Sequence, residues 1–203
     1  MSKVKYISVF VFVLSFSLTS RGQDAQFSQF FAAPMYLNPA FAGNTLQGRV
    51  AANYRKQWLE VPGAFTSYTF SYDHFLRKYR SGVGLMFMQD KAGSGALRTS
   101  SVGGLYSYVF SLSRSVAVRA GLRGTFASRN LDFYNFKFSD QIIRDDPFQT
   151  IESFDRTGKT YFDFGTGAIL FTEYFWFGYA LDHLNRPNVS FMGQDSRVPL
   201  KHS

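Results

Sequence analysis

The sequence has no cysteine and only 6 prolines among its 203 residues. Without cysteine the chain can form no disulfide and carry no lipid-modified cysteine, which excludes a disulfide-stapled fold and a lipoprotein anchor. It also has no apolar run of the length that a transmembrane helix needs, about 20 residues. Its apolar stretch at residues 7–18 is about a dozen residues long and is interrupted by serines, so we do not expect it to span a membrane as a helix.

Residue patterns for catalysis and for metal binding are missing as well. His74, His183 and His202 have no ligand-like spacing to one another, and a transition-metal site is not expected from them. Asp145 and Asp146 lie in a stretch without the alternating oxygen ligands and the glycine of a calcium loop. No serine stands in a Gly-x-Ser-x-Gly elbow, and the Gly-x-Gly pairs do not precede a helix. We therefore expect neither an enzyme nor a cofactor.

The N-terminus has the parts of a secretory signal peptide. Two lysines precede the apolar stretch, and small residues follow it at a cleavage position after residue 22. Cleavage there removes Lys3, Lys5 and Arg21 and leaves 19 basic and 14 acidic residues, a net charge of +5. The chain has no Lys/Arg run of the kind that forms a nucleic-acid-binding arm. We expect residues 1–22 to be a signal peptide and nucleic acid not to be a partner.

Aromatic residues are abundant, with 24 Phe, 12 Tyr and 2 Trp. Residues 46–58 alternate between an apolar and a polar, basic face, which is typical of a strand with two different surroundings. At about 3.3 Å per residue and a tilt near 40°, a strand of this length would cross a bilayer. Further alternation predicts strands at residues 64–75, 82–89, 98–112, 116–129, 160–171 and 174–184. The fold class that we predict is all-β, an antiparallel transmembrane β-barrel of the outer-membrane type with about seven strands.

The predicted connections alternate in length, apart from a short first one at residues 59–63. Short turns on one side and long loops on the other are typical of bacterial barrels, where they are periplasmic and extracellular respectively. The short connections are residues 76–81, 112–115 and 171–173, and the long ones are residues 89–97, 130–159 and 183–199.

Charged residues gather on one face of these predicted strands. A charge on the lipid face would cost about 2–4 kcal/mol near the bilayer centre, so we expect this face to line the lumen and the opposite face, with Val50 and Leu122, to contact membrane lipid. The network would either only stabilise the barrel or serve as a selectivity filter or a docking surface for a periplasmic plug. Its predicted members are Arg49, Arg55, Asp73, Arg119, Arg123, Asp163 and Asp182.

Five short motifs follow the signal peptide in a fixed order. They read Gln26-Phe27-Ser28-Gln29-Phe30, Leu37-Asn38-Pro39-Ala40-Phe41-Ala42-Gly43, Asn53-Tyr54-Arg55-x-Gln57-Trp58, Phe162-Asp163-Phe164-Gly165-x-Gly167 and Asp182-His183-Leu184-Asn185-x-Pro187. In these motifs the chain resembles the PorP/SprF family of type IX secretion system membrane proteins. The resemblance covers nearly all of the chain after the signal peptide. It implies a binding role for Gln26, Phe27, Gln29, Phe30, Asn38, Pro39 and Gly43.

The resemblance also implies a function: an outer-membrane component of the type IX secretion and gliding motility machinery of Bacteroidetes-type bacteria. Such a protein would anchor or export surface proteins, with secretion components of the periplasm and outer membrane and a secreted adhesin or other cargo as partners. The alternative is a general porin or channel with an open lumen. An outer-membrane hydrolase would need a Ser/His/acid cluster that the sequence does not offer.

Three regions follow from this interpretation. After the signal peptide, residues 23–45 lack a strand period, so we expect them to fold inside or beneath the barrel as a periplasmic or plug segment. Residues 46–203 would form the barrel. Bacterial single-chain barrels have an even number of at least eight strands, whereas seven strands and a stub at residues 197–203 are predicted here. We therefore expect an incomplete barrel, with further strands beyond Ser203.

Overall fold

The computed structural model describes most of the chain outside the proposed signal peptide. The described residues are 27, 30–58, 60, 63–93, 97–132, 158–191 and 195–203. The predicted signal peptide, the motif residues Gln26 and Gln29, and the acidic pair Asp145-Asp146 lie outside these residues.

In the part of the chain that the structure describes, the fold is one antiparallel sheet of eight strands in sequence order. It curls into a half-barrel, which confirms the prediction of an all-β, incomplete barrel. The strands are β1 (Arg49–Gln57), β2 (Phe65–Leu76), β3 (Ser81–Ala92), β4 (Leu97–Ser111), β5 (Val116–Leu131), β6 (Gly158–Thr172), β7 (Trp176–Asp182) and β8 (Lys201–His202).

The two faces of the sheet differ because side chains alternate along each strand. The outer face is exposed and apolar, and Val50, Leu85 and Leu122 are each at least 60% exposed there. The inner face of β2 carries Ser67 and Ser71, which are buried. The outer face is therefore apolar, whereas the inner face carries buried polar side chains beside apolar ones such as Met86 and Leu105.

Two strand lengths differ from the prediction. The first strand begins at Arg49 and ends at Gln57, because Trp58 has a positive φ of 60° that breaks the extended backbone. The predicted stub at residues 197–203 contributes the short β8, whose Lys201 pairs with Asp182 of β7. Among the described residues, β1 and β8 stand at opposite ends of the strand order and do not pair with each other.

The ends of the half-barrel are distinct. The short-turn end has the connections at residues 77–80, 112–115 and 173–175, and the long-loop end has all the others. A one-turn 3-10 helix, Arg77–Tyr79, forms the first short turn, and Arg80 closes it with a left-handed φ of 50°.

The chain before β1 forms three short helical turns, which we call the N-terminal segment (residues 30–45). They are a 3-10 turn at Phe30–Ala32, the helix α1 at Pro34–Leu37 and a 3-10 turn at Pro39–Phe41. Proline at the start of the second and third turns presets φ for a helix. Asn38 between them is extended and ends α1. No helix of the described residues is long and apolar enough to cross a membrane.

Candidate functional site

The N-terminal segment lies against the inner face of the sheet at the short-turn end. Met35 and Ala42 of the segment form a buried apolar cluster with Met86 of β3 and Leu105 of β4. Met35 is only 1% exposed. The segment is thus packed into the half-barrel and supplies its apolar core at this end.

Glycines on the inner face allow the backbone of the segment to approach the strands closely. A Cβ atom added at Gly121 of β5 would lie 2.5 Å from the Cα of Ala40, and one at Gly82 of β3 would lie 2.6 Å from the carbonyl carbon of Ala42. Both distances are shorter than real Cβ contacts, so any side chain there would displace the segment. Gly167 of β6 faces the side chain of Asn38 in the same way.

Asn38 joins the segment to two strands. Its Nδ2 donates to the carbonyl oxygens of Ala168 in β6 at 3.3 Å and of Tyr179 in β7 at 3.2 Å. Its Oδ1 accepts from the backbone N–H of Ala40 at 2.9 Å, which caps the 3-10 turn that follows. Since Asn38 is only 4% exposed, its amide satisfies polar groups that water does not reach.

An ion pair of the inner face holds the end of the segment. Arg49 of β1 and Asp73 of β2 are paired at 2.8 Å, and Asp73 is 1% exposed. The other carboxylate oxygen of Asp73 accepts from the backbone N–H of Gly43 at 2.8 Å. Arg49 also donates through Nη2 to the carbonyl oxygen of Phe41 at 3.3 Å. The pair therefore binds the backbone of the segment as well as its own partner.

A second ion pair acts in the same way further inside. Arg123 of β5 donates to Asp182 of β7 at 2.5 Å, and both side chains are buried. Its other terminal nitrogen donates to the carbonyl oxygen of Tyr36 at 3.2 Å. The Nζ of Lys201 lies 4.8 Å from the centre of the Tyr36 ring. The end of α1 is thus held from β5 and from β8.

The remaining predicted charges are Arg119, Arg55 and Asp163, and each makes contacts of its own. Arg119 donates to Asn44 Oδ1 at 3.1 Å and its guanidinium lies 5.7 and 5.8 Å from the ring centres of Phe75 and Phe171. Arg55 donates to Gln57 Oε1 at 2.8 Å. The carboxylate of Asp163 faces His183 Nδ1 at 3.1 Å. The predicted residues thus lie around the segment and along the inner face towards the long loops.

The motif residues that precede α1 are only partly described. The Phe27 ring packs edge-on against the Tyr36 ring at a centroid distance of 5.5 Å. Phe30 begins the first 3-10 turn. Pro39 is buried in the third turn, and Gly43 ends it with a φ of +65° that favours glycine.

Sequence reasoning missed several contacts of the segment. Asn53 of β1 donates to the carbonyl oxygen of Ala32 at 3.0 Å, and Ser107 of β4 donates to that of Ala42 at 2.7 Å. Asn53 stands in a quoted motif on the polar face of β1, which could have indicated its role. Ser107 is one of four serines in β4, and nothing in the sequence distinguishes it from the others.

A cavity of about 600 Å³ lies on the other side of the segment, towards the long loops. Tyr36 of the segment and Arg123 line it, so the segment separates this cavity from the short-turn end. The other charged and polar side chains that line it include Arg55, Asp90, Thr99, Thr125, Arg129, Asp163 and His183. In this arrangement the half-barrel is filled by its own chain at one end and is hollow at the other, where polar and apolar side chains share the cavity wall.

Comparison with known protein families matches residues 19–203 to the family described as type IX secretion system membrane protein PorP/SprF. The match includes the N-terminal segment and every strand of the sheet. No curated protein and no solved structure matches the chain.

Proposed function

Because this chain belongs to the PorP/SprF family of type IX secretion system membrane proteins, we propose that it is an outer-membrane interaction component of that machinery. In this role it anchors or exports surface proteins together with other secretion and gliding components. It does its work by binding partners, and the energy for transport comes from elsewhere in the machinery.

The observation that carries this proposal is the packing of the N-terminal segment against the inner face of the sheet. Two ion pairs, the partly buried Arg49–Asp73 and the buried Arg123–Asp182, hold the backbone of the segment within the half-barrel. A general porin needs a lumen that is open at both ends, whereas here the segment fills the short-turn end. A binding component is favoured over a porin for this reason.

We also propose a division of the chain for this role. Residues 1–22 act as the signal peptide, residues 23–45 act as the plug and periplasmic contact segment, and residues 46–203 form the membrane part. The motif residues Gln26, Phe27, Gln29 and Phe30 precede α1, and we assign to them the contact with a further component of the machinery. Asn38, Pro39 and Gly43 seat the segment instead.

Deletion of residues 26–31 tests the role of the segment. The full-length gene is returned to a strain that lacks it, and cargo in the medium is measured by immunoblotting. We expect the deletion to reduce secretion strongly while the strands stay inserted, as judged by outer-membrane fractionation and protease protection. Normal secretion by the deletion variant would overturn the proposal.

A matched pair of variants tests whether the hold on the segment is needed for secretion. Asp73→Asn weakens the hold on Gly43, whereas Asp90→Asn makes the same chemical change at the long-loop end, where Asp90 binds Ser67. We expect reduced secretion for Asp73→Asn only. If planar bilayers show that the unsubstituted protein conducts ions as a stable open pore, the porin alternative is correct.

A further inference from the structure

The short-turn end carries an exposed belt of aromatic and basic residues that the plug does not use. We call it the basic aromatic rim, and it consists of residues 77–80, 112–115 and 173–175. Its large apolar side chains are exposed by 61% to 92%: they are Tyr79, Leu112, Tyr174 and Phe175. Each of the three short turns thus presents at least one large apolar side chain to its surroundings.

The same turns are strongly positive. They contain four basic residues, Arg77, Lys78, Arg80 and Arg114, and one acidic residue, Glu173. Glu173 accepts a hydrogen bond from Ser115 at 2.6 Å. None of the four basic residues belongs to an ion pair between described residues. All four side chains are exposed.

The backbone of the rim is held in place by hydrogen bonds. The N–H groups of Leu112 and Ser113 both donate to the carbonyl oxygen of Val116 at 3.0 Å. Thr172 accepts from the N–H of Phe175 at 3.0 Å and donates to its carbonyl oxygen at 2.7 Å. The Nζ of Lys78 lies 5.7 Å from the centre of the Tyr79 ring. The turns thus hold cations and rings side by side.

We propose that the basic aromatic rim binds the head groups of anionic phospholipids at the surface of the membrane. Aromatic rings with a polar edge favour the boundary between head groups and hydrocarbon. Lysine and arginine beside that boundary attract anionic head groups electrostatically. A rim with both would anchor this end of the sheet at a fixed depth. The inference rests on the proposed membrane location, because the rim needs a bilayer around the apolar outer face.

Tryptophan fluorescence can test the proposal, since the chain has only 2 tryptophans. Trp176 adjoins the rim, and Trp58 lies at the long-loop end. The variant Trp58→Phe is reconstituted into phosphatidylcholine vesicles that contain a minor amount of brominated phosphatidylglycerol, or of brominated phosphatidylcholine. We expect the anionic lipid to quench Trp176 about threefold more strongly, because each basic residue adds to its local concentration.

Two sets of substitutions show whether the rim causes this preference. The quenching ratio is the quenching of Trp176 by brominated phosphatidylglycerol divided by its quenching by brominated phosphatidylcholine. It should fall close to one when the four basic residues of the rim, Arg77, Lys78, Arg80 and Arg114, are replaced by Gln. Replacing Lys56, Arg98, Lys159 and Arg197 by Gln removes the same charge at the long-loop end and should leave the ratio unchanged. A Trp176→Phe variant, which reports from Trp58, should show a ratio that the rim substitutions leave unchanged.

Salt provides a measurement that does not depend on the folding of a variant. Near 1 M salt the screening length falls to about 3 Å, so the ratio at Trp176 should fall towards one. Flotation of the vesicles reports insertion separately from lipid preference. Inserted protein with equal quenching by both lipids at low salt would overturn the rim proposal alone. Protein that does not float with vesicles would overturn the membrane location and the rim together.

Discussion

Both ends of the half-barrel have an aspartate on the inner face, but the surroundings of the two aspartates differ. At the short-turn end Asp73 is buried and binds Arg49 and the N–H of Gly43. At the long-loop end Asp90 is half-buried, binds Ser67 and lines a cavity of about 600 Å³. An aspartate on the inner face is thus a structural anchor at one end and part of a cavity wall at the other.

This difference shows that the N-terminal segment, and not the strand pattern, decides what an inner-face residue does. Buried polar groups are costly unless they are paired, because water cannot replace a lost partner. Where the segment fills the half-barrel, polar residues gain such partners and become hard to replace. Where it does not, water can take the place of any one of them. Substitutions at matched positions of the two ends should therefore differ in cost.

The largest difference is expected between the two aspartates. Asp73→Ala leaves Arg49 and the N–H of Gly43 without their acceptor, and breaking a buried pair in this way costs about 3–5 kcal/mol. Asp90→Ala removes one hydrogen bond beside the cavity and should cost about 1 kcal/mol. Guanidinium unfolding in detergent micelles measures both free energies. Equal losses would show that the two ends are equally filled.

The next difference concerns glycines of neighbouring strands. Gly121→Ala places a methyl group against the backbone of Ala40, whereas nothing lies within 4 Å of a methyl group at Gly104 of β4. Such overpacking costs about 1–3 kcal/mol, while Gly104→Ala should be neutral or slightly stabilising. We expect the Gly121 variant to expose the segment to chymotrypsin at Tyr36 and Leu37. Resistance equal to that of the Gly104 variant would contradict the close approach.

Two asparagines allow a finer comparison, since each binds backbone groups of β6. Asn38 is buried and donates to Ala168, whereas the exposed Asn185 donates to the carbonyl oxygen of Phe162 at 2.6 Å and accepts from Phe164 at 3.3 Å. Asn38→Ala should cost about 2 kcal/mol, because buried carbonyl groups lose their donor. Water can replace Asn185, so Asn185→Ala should cost less than about 1 kcal/mol. Guanidinium unfolding in micelles gives the loss of unfolding free energy for each variant. A larger loss for Asn185→Ala than for Asn38→Ala would contradict the argument from burial.

Much of the sheet could be predicted from the sequence, because alternation of side chains is a local property. The predicted strand at residues 116–129 is found at Val116–Leu131, and the family suggested by the short motifs is confirmed. The excess length predicted for β1 has a physical reason. Leu46 and Gly48 continue the alternation, but pairing with β2 extends only from Arg49 to Gln57. Alternation shows which face a side chain would take and does not show where hydrogen bonding stops.

The seat of the segment could not be predicted, because it depends on contacts between distant residues. Gly121 and Gly167 lie within strands, and nothing local in the sequence connects them to Ala40 or Asn38. The charged residues were recognised, but the sequence could not show that Arg123 also binds the backbone of Tyr36. The sheet is curved, and this curvature brings β1, β5 and β7 around the N-terminal segment. The charged residues of these strands become partners of the segment for that reason.

The smallest effect is expected at Arg55, which has the same residue type and strand as Arg49. Arg49 neutralises a carboxylate that is 1% exposed, whereas Arg55 donates to Gln57 beside the cavity. Removal of the Arg55 charge leaves no buried group unpaired, and salt at 0.1 M screens exposed charges beyond about 10 Å. Arg55→Gln should therefore change the free energy of unfolding by less than about 0.5 kcal/mol. Arg49→Gln should cost several times more, because Asp73 would then be a buried charge without its cation. A loss at Arg55 as large as that at Arg49 would mean that the long-loop end is also filled by protein, and the contrast between the two ends would then fail.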